Sequence, residues 1–283
     1  MTTVSSIYSS INIAFIGGGN MASALIAGLL AKGQPSHQLH VVETDADKLA
    51  SFQAQGIQAY DAADINNTKQ AIAKADVVVL AVKPQVMKAV LLDLKDSWQA
   101  QVVISIAAGI STHSLSQWLG AQVKLVRAMP NTPAMIQMGA TGLFATPTLS
   151  DAQKQLAQQV MAAAGLVLWV EDEDLLHAVT AVSGSAPAYF FYMLEHMIAT
   201  GEQLGLTQTQ ATALAMQTAL GSAQMALTSH DTPAVLRRKV TSPNGTTQAA
   251  IEVMDNQQMG TTIANAMQAC VARSRELSQA LGD

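Results

Sequence analysis

The chain is short of several things, and each shortage closes off a class of function. It has one cysteine, Cys270, in 283 residues. An internal disulfide framework is therefore excluded, and a reducing compartment is expected. Only 12% of the residues are charged, the net charge is −5, and like charges never run in a block. The basic footprint that nucleic acid demands is missing. The longest purely apolar run, "VMAAAGLVLWV" at 160–170, has 11 residues, too few to cross a bilayer, so no membrane partner is expected. The six histidines show no His-x-x-x-His spacing and no cysteine partner, which argues against a metal site. His177 and His196 read as surface or helix-packing residues, and Cys270 as structural. The opening stretch "MTTVSSIYSS" has no basic region and no apolar segment, so no signal peptide is expected and the protein is placed in the cytoplasm.

What the chain does have is apolar side chains, 49% of the total, enough for one or two domains with a sizeable core. They follow two different patterns. Up to about residue 165, short runs rich in Val and Ile read as buried strands: "NIAFIG" (12–17), "QLHVVE" (38–43), "ADVVVLAV" (75–82), "QVVISIA" (101–107) and "VKLVRAM" (123–129). Helical segments lie between them near 20–32, 45–55, 84–95 and 111–119. Such alternation predicts an α/β fold, a doubly wound and largely parallel sheet with right-handed crossovers. "GATGLFATPT" and "GLVLWV" are expected to add edge strands.

Beyond residue 170 the strand signals stop. "SGSAPAYFFYMLEHMIATGEQLG" reads as a helix capped by Ser183 or Ser185, with Pro187 in its first turn and Gly205 at its end. Thr207 to Gln210 matches a capping box. No Asp, Glu, Lys or Arg occurs between Gln203 and His230, so the helix there is expected to be buried on most sides. The last helix carries a stripe of Ile263, Met267, Cys270, Ser274, Leu277 and Leu281. A helical half that is apolar on several faces predicts a homo-oligomer. The expected division is 1–168 and 169–283.

Four polar features carry chemistry. "FIGGGNMA" sets Gly17, Gly19 and Ala22 at G-x-G-x-x-A spacing between a strand and a helix, where a dinucleotide's pyrophosphate can sit on the helix start. The plain alternative is a glycine-rich turn with no ligand. No G-K-[S/T] follows, so a P-loop is excluded. Near the end of the second strand, Glu43 would hold a ribose 2′-hydroxyl and favour NAD, whereas Thr44 and Lys48 are the nearby partners for a 2′-phosphate. A solvated loop carboxylate is the alternative. "AVKP" (81–84), "AAGIS" (107–111) and "RAMPNTPA" (127–134) end further strands and face the same crevice, with Lys83 and Asn131 as candidate ligand contacts or, more plainly, a solvated lysine and an Asx turn. Finally, "SPNGTT" (242–247) is a turn opening onto a helix that Thr246 or Thr247 is expected to cap. Free amides there suit a carboxylate; a capped helix start is the alternative.

Read together, "FIGGGNMA", "AVKP", "RAMPNTPA", "AVSGSAPAYF" and "VTSPNGTTQAAIEVMD" make the chain resemble the Δ1-pyrroline-5-carboxylate reductases from about residue 11 to 280. The resemblance implies a Rossmann-type domain over 1–168 and an all-helical substrate-binding and dimerisation domain over 169–283. It implies a homodimer, which can group into a larger ring, and hydride transfer from NADPH, with NADH possible, to 1-pyrroline-5-carboxylate, giving L-proline. By the same resemblance Ile16, Gly17, Gly18, Gly19, Asn20 and Met21 form the dinucleotide turn. Ala81, Val82, Lys83 and Pro84 line the nicotinamide side, with Ala108 opposite, and Asn67 lies toward the adenosine end. Ser242, Gly245, Thr246 and Thr247 hold the substrate, Thr247 being catalytic through the ring nitrogen, and Glu173 is an acidic position near it. Members often carry serine after the second strand; this chain has Asp45 with Glu43 beside it. The related 3-hydroxyacid dehydrogenases need a lysine base in the helix that begins "SGSAPAYFFYMLEHM", and none is present.

Overall fold

The computed structural model describes residues 11–120 and 123–282; the opening stretch read for a signal peptide lies outside them. One sheet organises the first half: β1 (Ile13–Ile16), β2 (Leu39–Glu43), β3 (Gln58–Asp61), β4 (Val77–Leu80), β5 (Val102–Ser105), β6 (Lys124–Met129), β7 (Gly139–Ala145) and β8 (Gly165–Trp169). Their order is β3-β2-β1-β4-β5-β6-β7-β8. All neighbours are parallel except β6 and β7. The expected doubly wound sheet is thus present. β3 is an addition to the expected strands, and β7 lies inside the sheet rather than at its edge.

Alternate residues of each strand feed opposite cores. Ile13 and Phe15 point to the layer holding α1 (Asn20–Ala31), Phe52 of α2 (Ala46–Ala54) and Val160 of α6 (Asp151–Ala162). Ala14 and Ile16 point to the layer holding Ile72 of α3 (Ile65–Lys74), Met87 and Leu91 of α4 (Pro84–Asp93) and Trp118 of α5 (Thr112–Leu119). Burial on both faces is why these strands read as continuous apolar runs and not as alternating ones.

The helical half comprises α7 (Leu175–Val179), α8 (Ala186–Gln203), α9 (Gln208–Thr228), α10 (Pro233–Lys239), α11 (Thr246–Asn256) and α12 (Met259–Gly282). The capping box at Thr207 and Gln210 forms as expected, and Gly205, at φ +100°, ends α8. Ser183 and Ser185 do not cap α8. A wide turn over Thr180–Gly184 continues α7 toward α8, so the amides there already have carbonyl partners; Ser185 N donates to Thr180 O at 2.8 Å. The Ser183 hydroxyl donates back to Val179 O, and that of Ser185 accepts from Cys270 Sγ at 3.4 Å.

The chain forms two compact units: residues up to Ser185 together with those from Cys270, and Ala186–Ala269. Their border differs from the expected 168/169 because α7 and the second half of α12 are tied into the sheet-bearing unit. Arg275 donates to Asp174 at 2.6 Å, His177 Nδ1 lies 2.8 Å from Ser274 Oγ, and Leu277 and Leu281 pack near Gly109. In the other unit α9 is not buried. Leu214, Leu220 and Leu227 are all more than half exposed, as are Phe190, Phe191 and Leu204 of the preceding segment. A charge-free helix signals burial, but the surface that buries it is not supplied by the single chain.

Two buried histidines set an acid limit on stability. Burial, followed by the charge of Lys74, pushes His40 below its ordinary value of 6.5. Burial, followed by Arg127, does the same to His177. Below pH 6.5 the unfolded chain therefore binds more protons than the folded one, and the stability present above that value is lost as the pH falls through the folded values. The midpoint of urea unfolding is expected to be lower at pH 5.5 than at pH 7.5; an equal or higher midpoint at the acid pH would refute this.

Candidate functional site

The sheet reverses its strand order between β1 and β4, where a doubly wound fold opens its ligand crevice at the carboxyl ends of the strands. Gly17 follows β1 there, at φ +102°. A Cβ on it would lie 2.8 Å from the Ala81 carbonyl carbon and oxygen, which belong to the backbone after β4. Gly17 N donates to Val42 O at 2.8 Å, and Ala81 N to Ile16 O at 2.8 Å, so the chain leaves three adjacent strands in one fixed arrangement. Gly19 is the N-cap of α1, and no side chain caps the helix. Nothing lies within 4 Å of where a Cβ on Gly19 would be. Asn20 and Met21 follow as the first turn. Uncapped amides, a helix dipole and open space above Gly19 together fit a dinucleotide pyrophosphate.

Glu43 stands beside this turn. Its Oε2 accepts from Gly18 N at 2.9 Å. Its Oε1 accepts from Thr44 N at 2.7 Å, the Thr44 hydroxyl at 3.1 Å and Asp45 N at 3.1 Å. Burial alone would raise its pKa, but these four donors outweigh it, and the carboxyl is held below its ordinary value. Lys48 lies 3.8 Å away. Glu43 is thus a fixed anion that braces Gly18, not a loose loop carboxylate.

The other residues expected around a cofactor fall into two groups. Val82, Lys83 and Pro84 continue from Ala81, with Lys83 exposed as the N-cap of α4. Ala108 is exposed in the turn after β5. Both lie at the crevice ends of their strands. Asn67 and Asn131 are already bonded to backbone. Asn67 Nδ2 donates to Asp61 O at 3.0 Å. Asn131 is 9% exposed; its Nδ2 donates to Ser183 O at 3.0 Å and its Oδ1 accepts from Ala140 N at 2.8 Å. Both ends of that amide bond backbone, so Asn131 is a bracket between β7 and the wide turn.

Glu173 is likewise committed. Its Oε1 accepts from Thr112 N at 2.7 Å and Arg127 Nη1 at 2.9 Å, and its Oε2 accepts from the Thr112 hydroxyl at 2.5 Å. Arg127 is 6% exposed, so this carboxylate neutralises a buried guanidinium. Neither Arg127 nor Thr112 stood out in the sequence; the apolar run around Arg127 masked it, and nothing local marks Thr112.

In the helical unit, the cap expected from Thr246 or Thr247 is not made. Gly245 is the N-cap of α11, with no side-chain oxygen on the first amides; the two threonines are the first and second helical residues. Gly245 N donates to Ser242 O at 3.1 Å, and Asn244 takes φ +57° with its N–H donated to Gln248 Oε1 at 2.8 Å. Ser242, Thr246 and Thr247 are exposed, and neither threonine hydroxyl has a partner among the described residues. The result is a helix start with free amides and two free hydroxyls, better suited to a carboxylate than a capped start would be.

Comparison with known proteins shows which family the chain resembles. Residues 173–277 match the family model described as pyrroline-5-carboxylate reductase dimerisation, and residues 12–109 match that described as NADP oxidoreductase, coenzyme F420-dependent. The chain is 49% identical to a pyrroline-5-carboxylate reductase of Pseudomonas aeruginosa, over 95% of this chain and 98% of the relative. A pyrroline-5-carboxylate reductase structure from Coxiella burnetii is 44% identical, with a TM-score of 0.89 over 95% of this chain and 99% of that one. The Plasmodium falciparum enzyme, solved with NADP bound, shares the fold at 24% identity and a TM-score of 0.83, over 95% of this chain and 99% of that one.

Proposed function

Because the chain belongs to the pyrroline-5-carboxylate reductase family, we propose that the uncapped start of α11 is its substrate cradle and that Thr247 touches the reacting nitrogen. The enzyme is an NADPH-dependent oxidoreductase that reduces the C=N bond of 1-pyrroline-5-carboxylate to give L-proline, the closing step of proline biosynthesis. When bound, the reduced nicotinamide supplies the hydride. A cyclic imine protonates readily, and its iminium already accepts hydride well, so the chain's task is binding and orientation. The amides of Thr246 and Thr247 and the Thr246 hydroxyl take the carboxylate, with Gly245 leaving room at the N-cap and Ser242 O, which accepts from Gly245 N, fixing the turn. The Thr247 hydroxyl meets the ring nitrogen. The observation that carries these roles is the set of free donors at Thr246 and Thr247, at a helix start that no side chain caps.

On the cofactor side, Gly17 to Met21 cradle the pyrophosphate, residues 81–84 and Ala108 frame the nicotinamide, and Asn67 lies toward the adenosine. Thus 1–168 serves the dinucleotide, and 169–283 serves substrate and assembly. The protein is a homo-oligomer; a homodimer that groups into rings accounts for the exposed apolar faces of α8 and α9. No helix among the described residues is long and apolar enough to cross a membrane, and with the lone cysteine this supports the cytoplasm as its place. Incubation with NADPH and 1-pyrroline-5-carboxylate tests the assignment: absorbance at the reduced nicotinamide band falls and proline accumulates. Tight nucleotide binding without oxidation would instead mark a nucleotide-sensing protein.

Glu43 shapes the choice of dinucleotide. A fixed carboxylate at the end of β2 favours a ribose hydroxyl and opposes a 2′-phosphate. NADH is expected to compete, with kcat/KM for NADPH no more than about a hundredfold above that for NADH. Glu43→Ser should raise this ratio roughly tenfold, one like-charge contact at intermediate dielectric being worth 1–4 kcal/mol. Because both dinucleotides share the pyrophosphate, damage to the Gly18 brace cancels in the ratio. An unchanged ratio would remove Glu43 from cofactor discrimination.

A further inference from the structure

The sequence resemblance places Glu173 near the substrate, but among the described residues its side-chain partners are Thr112 and Arg127, both in the sheet-bearing unit. Thr112, which gives it both an N–H and a hydroxyl, is the first residue of α5. Ser111 caps that helix through Ser114 N at 3.1 Å. Directly before it, residues 106–111 close β5 and carry the exposed Ala108. The segment is held at three points. At its start, Ser105 of β5 is paired with Arg127 of β6, the same arginine that clasps Glu173 at 2.9 Å. In its middle, Gly109 adopts φ +78° against α12, where a Cβ would lie 3.1 Å from Leu281. At its end, the Thr112 clasp is joined by the Ser114 hydroxyl, which donates to Gly282 O at 3.3 Å.

Glu173 couples two of these points. The Arg127 guanidinium is buried, and a buried charge keeps its place only while its partner does. A carboxylate at the first turn of α5 also satisfies an amide that has no partner within the helix and lies along the favourable direction of its dipole. The two carboxylate oxygens are thereby filled by three donors, with Arg127 and Thr112 held at a common distance from one side chain.

We propose that Glu173 is a positioning residue for the dinucleotide: through Thr112 and Arg127 it sets the course of residues 106–111, and so the place of Ala108, without touching the imine. The proposal rests on the reading of Ala108 as a nicotinamide neighbour. Glu173→Gln keeps the size of the side chain but cannot serve three donors while neutralising Arg127. Titration of NADPH fluorescence, with no imine present, is expected to show a Kd raised on the order of fivefold or more, a part of the worth of one charge-assisted hydrogen bond, since the effect is transmitted through the backbone. The KM for 1-pyrroline-5-carboxylate at saturating NADPH should stay within twofold of wild type, and Glu173→Asp should recover part of the Kd. A raised imine KM with an unchanged NADPH Kd would return Glu173 to the substrate and overturn the proposal, as would no change in either. If Glu173→Gln fails to fold, Thr112→Val removes one of the three bonds, and its NADPH Kd must rise in the same direction. Wild-type protein that binds NADPH but reduces no imine would sink the reading of the enzyme while leaving the Kd comparison intact.

Discussion

Replacing Gly17 with alanine is expected to raise the Kd for NADPH at least about a hundredfold, the upper end of what a strained backbone position costs. Two separate effects act together. The residue sits at φ +102°, where a side chain is disfavoured on steric grounds. The added Cβ would also meet the Ala81 carbonyl at 2.8 Å and Val82 N at 2.9 Å, which are main-chain atoms and cannot rotate away. Relief requires the segments after β1 and β4 to part, and these are the two edges of the crevice proposed for the dinucleotide. Because the change falls in a turn outside both cores, the far-ultraviolet circular dichroism should remain that of the folded chain. A folded Gly17→Ala protein with a Kd within about threefold of wild type would show that the pyrophosphate does not rest on this turn.

Thr247→Val is expected to lower kcat/KM for 1-pyrroline-5-carboxylate about tenfold or more, as the loss of one hydrogen bond near charge should. Valine keeps the branched shape, and the threonine hydroxyl has no partner among the described residues, so thermal stability should not move by more than about 0.5 kcal/mol. The NADPH Kd is expected to stay at the wild-type value, and Thr247→Ser to recover most of the rate. Unchanged kinetics in the valine variant would take Thr247 out of the reaction.

The parts of this molecule that are legible in the sequence are those where one physical requirement dominates. "VVVL" of β4 is buried on both faces and reads as nothing but a strand, and the glycines after β1 announce a turn that a side chain would block. β3 escaped notice because "QAYD" is half exposed and satisfies no apolar period. The charge-free stretch of α9 was read as a buried helix; its composition reports burial without saying whose surface provides it. Asn131 stands out in the sequence as a polar group at a strand end, and Glu173 only through the family resemblance. Polarity alone does not say where lone pairs and N–H groups are spent, and in both residues the fold consumes them. The loop at Gly245 went the other way: threonines that looked like caps leave their hydroxyls free, because the turn puts glycine at the capping position.

The sheet-bearing unit is discontinuous, since Leu277, Leu281 and Gly282 of α12 pack on Gly109 and Ser114. Those partners are far apart along the chain; Ser114 and Gly282 are separated by 168 positions. During synthesis the six strands from β1 to β6 emerge with their crossovers early, and the longest of their pairings, Ile13 with Val77, closes over 64 positions. The turn after β5 keeps one side bare until the whole helical half has left the ribosome. Completion of this unit is therefore a late event with a high loop-closure cost. A fragment ending after β8 would release a nearly finished sheet whose apolar floor under Gly109 stays wet, the kind of partly folded species that seeks another chain to cover it.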